Sequence, residues 1–237
     1  MAFLKEIIKK TILYRWYRQR EDKQLQKRKK EVNEAFKREA VDVLRLYSCA
    51  LRDNGIVFWL DYGTLLGYYR EHDFIKHDFD LDTSTWFDNH EKVKSALEHN
   101  GFERVRYYYL KNREGLEECY KHKNYDTTID VFYYFNEGDT SYCFSFNPMV
   151  PMNKKRNLNK VKPSRVRKWI FPKIEPIEAM FKGVKVFVPD NTGEYLKFTY
   201  GESFMTPIPN LPLKGRPNMT EYTYEEEPGC AWLKVGW

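Results

Sequence analysis

The chain has 237 residues, of which 42% are hydrophobic, 17% aromatic and 31% charged. This length suits one large domain or two small ones, and the composition excludes intrinsic disorder, a collagen-like repeat and a disulfide-stapled scaffold. The formal net charge of +6 is unevenly spread, because residues 1–30 hold 11 Lys and Arg against 3 Asp and Glu. The basic character is therefore local and does not describe the whole surface.

Residues 1–20 predict a basic amphipathic helix, because apolar and aromatic residues recur there at helical spacing with Lys and Arg between them. No run of about 18 apolar residues occurs, so neither a membrane-spanning helix nor a secretion signal is expected. Two interpretations stay open: the helix lies on an anionic membrane surface, or it packs on the protein or a partner. We expect a cytoplasmic protein, with the inner face of the cell membrane as an alternative, and no nucleic acid partner.

Further along the chain, the hydrophobic pattern alternates between helical and strand periods. The predicted ranges are 31–54 (helix), 56–60 (strand), 65–70 (short helix), 79–82 (strand), 89–99 (helix), 103–110, 127–135 and 185–188 (strands) and 192–200 (helix). This order predicts an α/β or α+β body over residues 55–207, with basic N-terminal helices over 1–54. A basic loop is expected over 151–170, and an irregular tail over 208–237, where prolines accumulate.

The cysteines are far apart and form no C-x-x-C pair; they are Cys49, Cys119, Cys143 and Cys230. This spacing indicates neither a zinc cluster nor a redox motif. We therefore expect buried, reduced thiols.

An acidic strand is the first candidate for chemistry. Asp80 and Asp82 are two residues apart in a predicted strand, so both carboxylates project from one face, about 6–7 Å apart along the chain. Such a pair suits Mg²⁺, which takes one or two protein carboxylates and leaves its other positions to water and substrate phosphates. Without a cation or a base between them, the two charges would repel each other. The alternative is that one carboxylate faces solvent and the other caps a turn.

The residues just before this strand are suited to bind an anion. Gly63 and Thr64 begin a predicted helix, where backbone N–H groups, a hydroxyl and the helix dipole favour negative charge. Arg70 offers a planar fork for phosphate oxygens, although a surface ion pair is its alternative role. Together with Asp80 and Asp82, these groups predict a site for metal-bound pyrophosphate.

This segment resembles the LicD/fukutin family, whose pattern is G-[ST]-L-L-G-x-x-R followed by I-P-W-D-x-D-x-D. The matching residues, in order, are Gly63, Thr64, Leu65, Leu66, Gly67, Arg70, Ile75, Asp78, Asp80 and Asp82. Later segments extend the resemblance over residues 55–207: Asp130 lies in a strand like the one that bears a third carboxylate in the family, and residues 195–201 are similar to a C-terminal Y-L-x-x-x-Y-G signature. The departures are Lys76 and His77 in place of Pro-Trp, and Phe79 where many bacterial members have Asp.

The resemblance implies a nucleotidyltransferase-like mixed sheet flanked by helices. It also implies transfer of a phospho-alcohol group from a CDP-activated donor to a glycan hydroxyl, with CMP leaving. By analogy, Mg²⁺, or Mn²⁺ in its place, would be held by Asp80, Asp82 and Asp130, and the catalytic set is Asp78, Asp80, Asp82, Asp130 and Arg70. The substrate-binding set is Gly63, Thr64, Arg70 and His77. Asp78 or Asp130 would accept the acceptor proton, with His77 either an alternative base or a structural residue.

Several alternatives stay open for the substrate and the activity. The donor is phosphocholine, phosphoethanolamine, aminoethylphosphonate or an alditol phosphate in its CDP-activated form, and the acceptor is a capsule, lipopolysaccharide or teichoic acid precursor, free or lipid-linked. The many tyrosines either build the core or form a cage for a quaternary ammonium group. Two other function classes compete: a true nucleotidyltransferase that uses an NTP, and a non-catalytic basic module that binds membrane or nucleic acid.

Overall fold

The computed structural model describes residues 12–149, 162–208 and 216–234. Its helices are α1 (Ile12–Arg52), α2 (Tyr62–Leu66), α3 (His90–His99) and α4 (Thr192–Tyr200), with a π-helical turn at Gly67–Glu71 and a 3₁₀ turn at Phe87–Asn89. Its strands are β1 (Phe58–Leu60), β2 (Asp80–Trp86), β3 (Phe102–Leu110), β4 (Leu116–His122), β5 (Thr128–Glu137), β6 (Thr140–Pro148), β7 (Lys162–Pro172), β8 (Pro176–Phe181), β9 (Val184–Pro189), β10 (Met219–Tyr222) and β11 (Gly229–Leu233).

Nine of the described strands form one mixed sheet, and β8 and β9 form a separate hairpin. Strand β5 is central to the sheet, because it pairs in parallel with β2 and antiparallel with both β4 and β6. The path from β5 through β4, β3, β11, β7 and β6 returns to β5, so six strands close into a ring. Strands β1 and β2 extend the sheet outside this ring, on the free side of β5.

The inside of the ring is a small apolar core of its own. Its buried members come from four different strands and are Tyr108, Leu110, Phe144, Phe146, Val166 and Ala231. The rings of Tyr108 and Phe146 stack with centroids 5.7 Å apart. The ring of strands is therefore filled by side chains, as small closed sheets usually are.

The larger core takes side chains from both faces of β5, because it includes Val131 and Tyr133 on one face and Phe132 and Tyr134 on the other. The second half of α1 contributes buried residues at helical spacing, which are Phe36, Ala40, Val43, Leu44, Tyr47 and Leu51. The Thr83 hydroxyl on β2 donates to the Tyr47 hydroxyl at 2.9 Å, which joins helix and sheet. The second half of α1 thus belongs to the same core as the body over residues 55–207.

The structure corrects the expected organisation in two places. The tail predicted as irregular over residues 208–237 contains two strands. Strand β10 pairs with β7, and β11 pairs with both β3 and β7. The basic stretch over residues 151–170 is not a loop throughout, because β7 begins at Lys162; residues 150–161 lie outside the described residues. Both differences arise because these strands pair with segments that are distant in sequence. The composition of such a strand alone predicts its formation poorly.

The N-terminal prediction is tested only in part. Residues 1–11 lie outside the described residues, and from Ile12 the chain is helical through Arg52 without a break. Contact of residues 1–20 with a membrane therefore stays a prediction. Over the residues that the structure describes, every helix is too short or too polar to span a lipid bilayer.

The cysteines are unpaired and three of them are buried, as expected; they are Cys119, Cys143 and Cys230. Cys49 differs, because it lies on the exposed side of α1. The neighbouring Ser48 and Ala50 are buried, whereas the Cys49 side chain lies on the side of the helix that faces away from the core.

Candidate active site

Three carboxylates meet on one face of the sheet where β2 and β5 run side by side. The parallel register places Asp82 directly opposite Asp130, and Asp80 lies two residues before Asp82 on the same face. The alternate residues Leu81 and Thr83 point to the opposite face, where they join the core and the Tyr47 hydroxyl. The alternation of acidic and other residues in β2 thus matches the two faces of the strand, one at the site and one in the core.

A fourth carboxylate, Asp78, reaches the same place from the turn before β2. A Cβ atom added to Gly63 would lie 3.1 Å from Oδ2 of Asp78 and 3.1 Å from Oδ2 of Asp82. The Gly63 N–H donates to Asp82 Oδ2 at 2.9 Å, and the Asp82 N–H donates to Thr64 Oγ1 at 2.8 Å. In this structure the expected phosphate cradle holds Asp82, and glycine at position 63 leaves room for the two carboxylates.

The helix that carries Gly63 and Thr64 begins earlier than predicted, at Tyr62, and its N-cap is Asp61. Asp61 is buried and accepts hydrogen bonds from the backbone of Tyr62 and from the hydroxyls of Ser84, Tyr134 and Tyr195. Burial raises the pKa of Asp61. Four donors from four segments around one carboxylate make Asp61 a structural anchor on the same face of the sheet as the acidic residues.

The crowding of the acidic groups shows in their protonation. Burial and, after it, the nearby charges of Asp130 and Asp78 raise the pKa of Asp80 to about 7. Burial has the largest effect on Asp82 and the charge of Asp80 the next largest, and both raise its pKa well above the usual range. Burial also raises the pKa of Asp78 to about 6, while the positive charge of Arg70 opposes that shift. Negative charge is costly here unless a cation compensates it.

The donor set fits a divalent cation. Asp80 and Asp82 supply the hard oxygen atoms and the carboxylate number that Mg²⁺ takes in proteins. Over residues 12–149, 162–208 and 216–234, no three carboxylate, histidine or cysteine side chains already surround one point as metal ligands would. Asp130 is instead turned toward Arg106, whose Nη2 donates to both of its oxygens, at 3.0 and 2.9 Å.

Arg106 was not among the residues singled out from the sequence. A β-bulge between Arg104 and Arg106 shifts the register of β3 against β4. The bulge turns the two arginines to opposite faces, so Arg104 pairs with Glu118 beneath the helices and Arg106 pairs with Asp130 beside the acidic residues. Regular alternation would have put both on one face, so the sequence alone offers no signal for this placement.

The remaining predicted site residues lie around the edge. Arg70 donates from Nε to Glu71 Oε1 at 2.7 Å and from Nη1 to the Phe204 carbonyl at 3.0 Å, and its charge acts on Asp78. His77 is exposed in the turn that leads to Asp78. The structure thus brings Arg70 to the carboxylates and leaves His77 at the surface.

A groove of about 500 Å³ opens beside the carboxylates, where α1 passes the first residues of β2 and β5. Its lining residues are Arg28, Glu31, Val32, Ala35, Phe79, Asp80, Arg106, Lys121, Asp126 and Thr128. Helix α1 also holds the acidic turn in place, because Asn33 Nδ2 donates to the carbonyls of Lys76 and Asp78. A helix that the sequence suggested as a separate basic extension therefore forms one wall of the site.

Four of the tyrosines considered for a quaternary ammonium cage, Tyr107, Tyr109, Tyr133 and Tyr134, have other surroundings in the structure. Tyr133 and Tyr134 are buried, and their hydroxyls donate to Glu118 and Asp61 respectively. Tyr107 lies on the opposite face of β3 from Arg106, where it stacks with Tyr109. These residues support the core and the outer sheet face.

Comparison with known proteins connects this geometry to a family. The model of the LicD/FKTN/FKRP nucleotidyltransferase domain matches residues 55–191. Ribitol-5-phosphate transferase FKTN of Mus musculus is 27% identical over 183 residues, which is 77% of this chain and 36% of that protein. The Homo sapiens protein of the same description is 27% identical over 184 residues, 77% of this chain and 37% of its own length. The chain thus spans about a third of the length of these relatives.

Among solved structures, the lincosamide antibiotic adenylyltransferase LnuA, in its lincomycin-bound form, aligns with a TM-score of 0.39 and 16% identity. That alignment covers 67% of this chain and 83% of LnuA. The family model is the stronger finding, since it matches more than half of the chain and includes Gly63, Asp78, Asp80, Asp82 and Asp130. The resemblance seen in the sequence is confirmed: the chain belongs to the LicD/FKTN/FKRP nucleotidyltransferase-domain family.

Proposed function

We propose that this chain is a divalent-cation-dependent phosphotransferase that moves a phospho-alcohol group from a CDP-activated donor to a glycan hydroxyl and releases CMP. The observation that carries the proposal is the crowding of Asp78, Asp80 and Asp82 beside a groove with Arg106 in its wall. Family membership supports the reaction class. The relatives described as ribitol-5-phosphate transferases favour CDP-ribitol over the choline, ethanolamine and phosphonate donors. The acceptor glycan and its lipid-linked or free form stay predictions.

In this proposal Asp80 and Asp82 hold Mg²⁺ or Mn²⁺, and Asp130 joins them from the neighbouring strand. When bound, the cation neutralises charge on the donor diphosphate and on the departing phosphate. The chain supplies the orientation: the parallel pairing of β2 and β5 sets Asp82 against Asp130, and the bonds from Gly63 and Thr64 fix Asp82.

The reaction is a displacement at the phosphorus atom that carries the alcohol. The acceptor oxygen forms a new P–O bond while the P–O bond to CMP breaks, and the acceptor proton passes to a carboxylate. Asp78 is the better-placed base of the two candidates, because it lies at the edge of the site and burial raises its pKa to about 6, whereas Asp130 is held by Arg106. Arg70, beside Asp78, adds positive charge near the transferred group.

The groove provides room for the nucleotide part of the donor. Phe79 exposes 50% of its surface there, next to Asp80, and Val32 of α1 exposes 36%. An aromatic face of this kind suits stacking with a base, an interaction worth about 1–3 kcal/mol in nucleic acid complexes. The cytidine would then lie against α1, with its diphosphate directed at the carboxylates.

Thermal unfolding in the presence of ligands tests the proposal. We would heat the protein with CDP-ribitol, CDP-choline, CDP-ethanolamine or CTP, with and without Mg²⁺. A ligand at about 100 times its Kd adds about 2.7 kcal/mol of stability, which is readily measured. We expect a Mg²⁺-dependent increase in Tm with one CDP-alcohol, followed by CMP release when a glycan acceptor is added.

The matched variants are Asp82→Asn, which removes one carboxylate charge from the site, and Asp88→Asn, which removes an exposed charge in the 3₁₀ turn after β2. Asp82→Asn should abolish the ligand-induced increase in Tm, and Asp88→Asn should keep it. Pyrophosphate release from CTP would instead support a true nucleotidyltransferase. Equal behaviour of Asp82→Asn and wild type, or no response to any cytidine ligand, would count against the proposal.

A further inference from the structure

We propose that Arg106 binds the anionic diphosphate of the donor, and that Asp130 holds Arg106 in readiness until a cation takes over that carboxylate. This inference rests on the proposed function, since it concerns the same site. It assigns a role to a residue that the family pattern over Gly63 to Asp82 does not include. It also gives a reason for the ion pair that Asp130 makes with Arg106 beside Asp80 and Asp82.

Arg106 lies in one row of the sheet with two of the carboxylates. Arg106 pairs with Cys119 on β4, Cys119 pairs with Asp130 on β5, and Asp130 pairs with Asp82 on β2. The four residues form one row across neighbouring strands, on one face of the sheet. An arginine at the end of such a row reaches the carboxylates from the side opposite to β2.

Arg106 can be reached from the groove. Arg106 and Asp80 both line the groove beneath α1, and the Arg106 side chain is 23% exposed. Arg104, on the other face, binds Glu118, whose side chain is 1% exposed and also accepts the hydroxyls of Tyr120 and Tyr133. The Arg104 side chain is about equally exposed, at 25%, so Arg106 is distinguished by the groove that it shares with Asp80 and by its partner Asp130, which is 11% exposed.

The balance of charge around Asp130 allows Arg106 to exchange its partner. Asp78, Asp80, Asp82 and Asp130 crowd together, and Arg106 contacts one of the four directly. A divalent cation shared by Asp80, Asp82 and Asp130 would draw electron density from Asp130 and weaken its hold on the guanidinium. The planar fork of arginine matches phosphate oxygens as well as carboxylate oxygens, so a donor diphosphate can replace Asp130 as the partner.

The test measures binding of the metal alone and of the nucleotide separately. Mn²⁺ binding to the full chain is followed by electron paramagnetic resonance, and CDP binding in the presence of Mg²⁺ by calorimetry. The variants are Arg106→Met, Arg106→Lys and, as the matched control, Arg104→Met. Arg106→Lys keeps a positive charge beside Asp130, so it protects the test if Arg106→Met folds poorly.

We expect Arg106→Met to bind Mn²⁺ at least as tightly as wild type, because Asp130 loses a competing partner. We expect the same variant to bind CDP about 10- to 100-fold more weakly, the usual effect of losing charge-assisted hydrogen bonds. Arg106→Lys should fall between, because it keeps the charge and loses the fork. Arg104→Met should lower the Tm and leave the CDP affinity of the folded fraction unchanged.

The outcomes separate the two proposals. If wild type binds Mn²⁺ and CDP but both Arg106 variants bind CDP as wild type does, this inference is wrong and the proposed function stands. If Arg106→Met and Arg106→Lys lose Mn²⁺ affinity as much as CDP affinity, Arg106 only positions Asp130, and the inference is again wrong. If wild type binds no CDP with Mg²⁺ present, the proposed function fails, and this inference fails with it.

Discussion

At the scale of single residues, the acidic face is an unfavourable arrangement that a ligand would relieve. Asp80 and Asp82 lie two residues apart on β2, and Asp130 lies opposite Asp82 on β5. Asp78 approaches from the turn before β2. Burial is the main reason why the pKa values of Asp80 and Asp82 rise, and the repulsion between like charges adds to it. Arg106 relieves part of this repulsion through Asp130, and a bound cation would relieve the rest.

The first prediction concerns pH. In the metal-free protein the pKa of Asp80 is about 7 and that of Asp78 about 6, and both lie above the ordinary aspartate value of 3.8. The folded state therefore holds extra protons in this window, and the stability of the metal-free protein falls as pH rises from about 4 to about 7. Mg²⁺ should consequently raise the Tm more at about pH 8 than at about pH 5.5. Thermal scans with and without Mg²⁺ measure this difference.

Asp82→Asn provides the comparison for the pH experiment, because it removes one of the interacting charges while other titrating groups stay the same. We expect a smaller gain from Mg²⁺ at about pH 8 in this variant and a flatter pH dependence of the metal-free Tm. An identical pH dependence in the variant and in wild type would contradict the assignment of the effect to the acidic face.

The second prediction concerns Asp61, the buried N-cap of α2. Asp61→Asn places an amide NH₂ against hydroxyl donors of Ser84, Tyr134 and Tyr195, so at least one buried donor loses its acceptor. We expect a loss of about 2–3 kcal/mol in the free energy of unfolding, measured by urea denaturation. Asp53→Asn, at an exposed position after α1, serves as the control. A loss no larger than that of the control would show that the network does not anchor α2.

At the scale of elements, helix α1 does more than pack on the sheet. Its second half is buried in the larger core, and its middle supports two segments of the site. Asn33 holds the carbonyls of Lys76 and Asp78, while Glu39 accepts the backbone N–H groups of Asp126 and Thr127 just before β5. The helix therefore fixes the positions of the Asp78 turn and of the start of the strand that carries Asp130.

The third prediction tests this role. Asn33→Ala removes the two hydrogen bonds to the Asp78 turn, so we expect a modest loss of about 1 kcal/mol in stability. Weaker Mn²⁺ binding should accompany it, because Asp78 and the start of β2 lose a fixed support. Lys37→Ala, one turn further along α1 on an exposed position, is the control. Unchanged Mn²⁺ affinity in Asn33→Ala would show that the turn keeps its position without α1.

The elements near the acidic strand were predictable because each has a clear period and a clear boundary. The acidic strand and the strand that carries Asp130 appear close to their expected ranges, and α1 ends near the predicted end, although it begins at Ile12 instead of residue 31. What local pattern misses is pairing across the chain. Strands β10 and β11 lie in a proline-rich tail and pair with strands formed much earlier, and the bulge in β3 reverses the face of Arg106.

At the scale of the whole molecule, the site lies where an open strand pair joins a closed ring. Asp80 and Asp82 come from β2, outside the ring, whereas Asp130 and Arg106 come from β5 and β3, within it. The distance between the two pairs of side chains is therefore fixed by the β2–β5 register. A change that opens the ring should loosen Arg106 before it disturbs Asp80 and Asp82.

The fourth prediction uses the point where β11 closes the ring. A Cβ atom on Gly229 would lie 2.6 Å from Cγ2 of Val166 and 2.9 Å from the carbonyl oxygen of Ser164, so Gly229→Ala forces β11 away from β7. We expect a loss of about 1–3 kcal/mol in stability. The control is Thr220→Ala, at an exposed position on β10. Equal Tm values for the two variants would contradict a close contact at this seam.

The order of the strands also has a consequence for how the protein is made. Strands β1 to β5 are synthesised first, so the acidic row and Arg106 can assemble while the chain is still growing. The ring closes only after residues 229–233 leave the ribosome and pair with β3 and β7. Until then the apolar cluster around Tyr108 and Phe146 lacks Ala231 of β11, so we expect the growing chain to be most prone to aggregation just before these residues emerge.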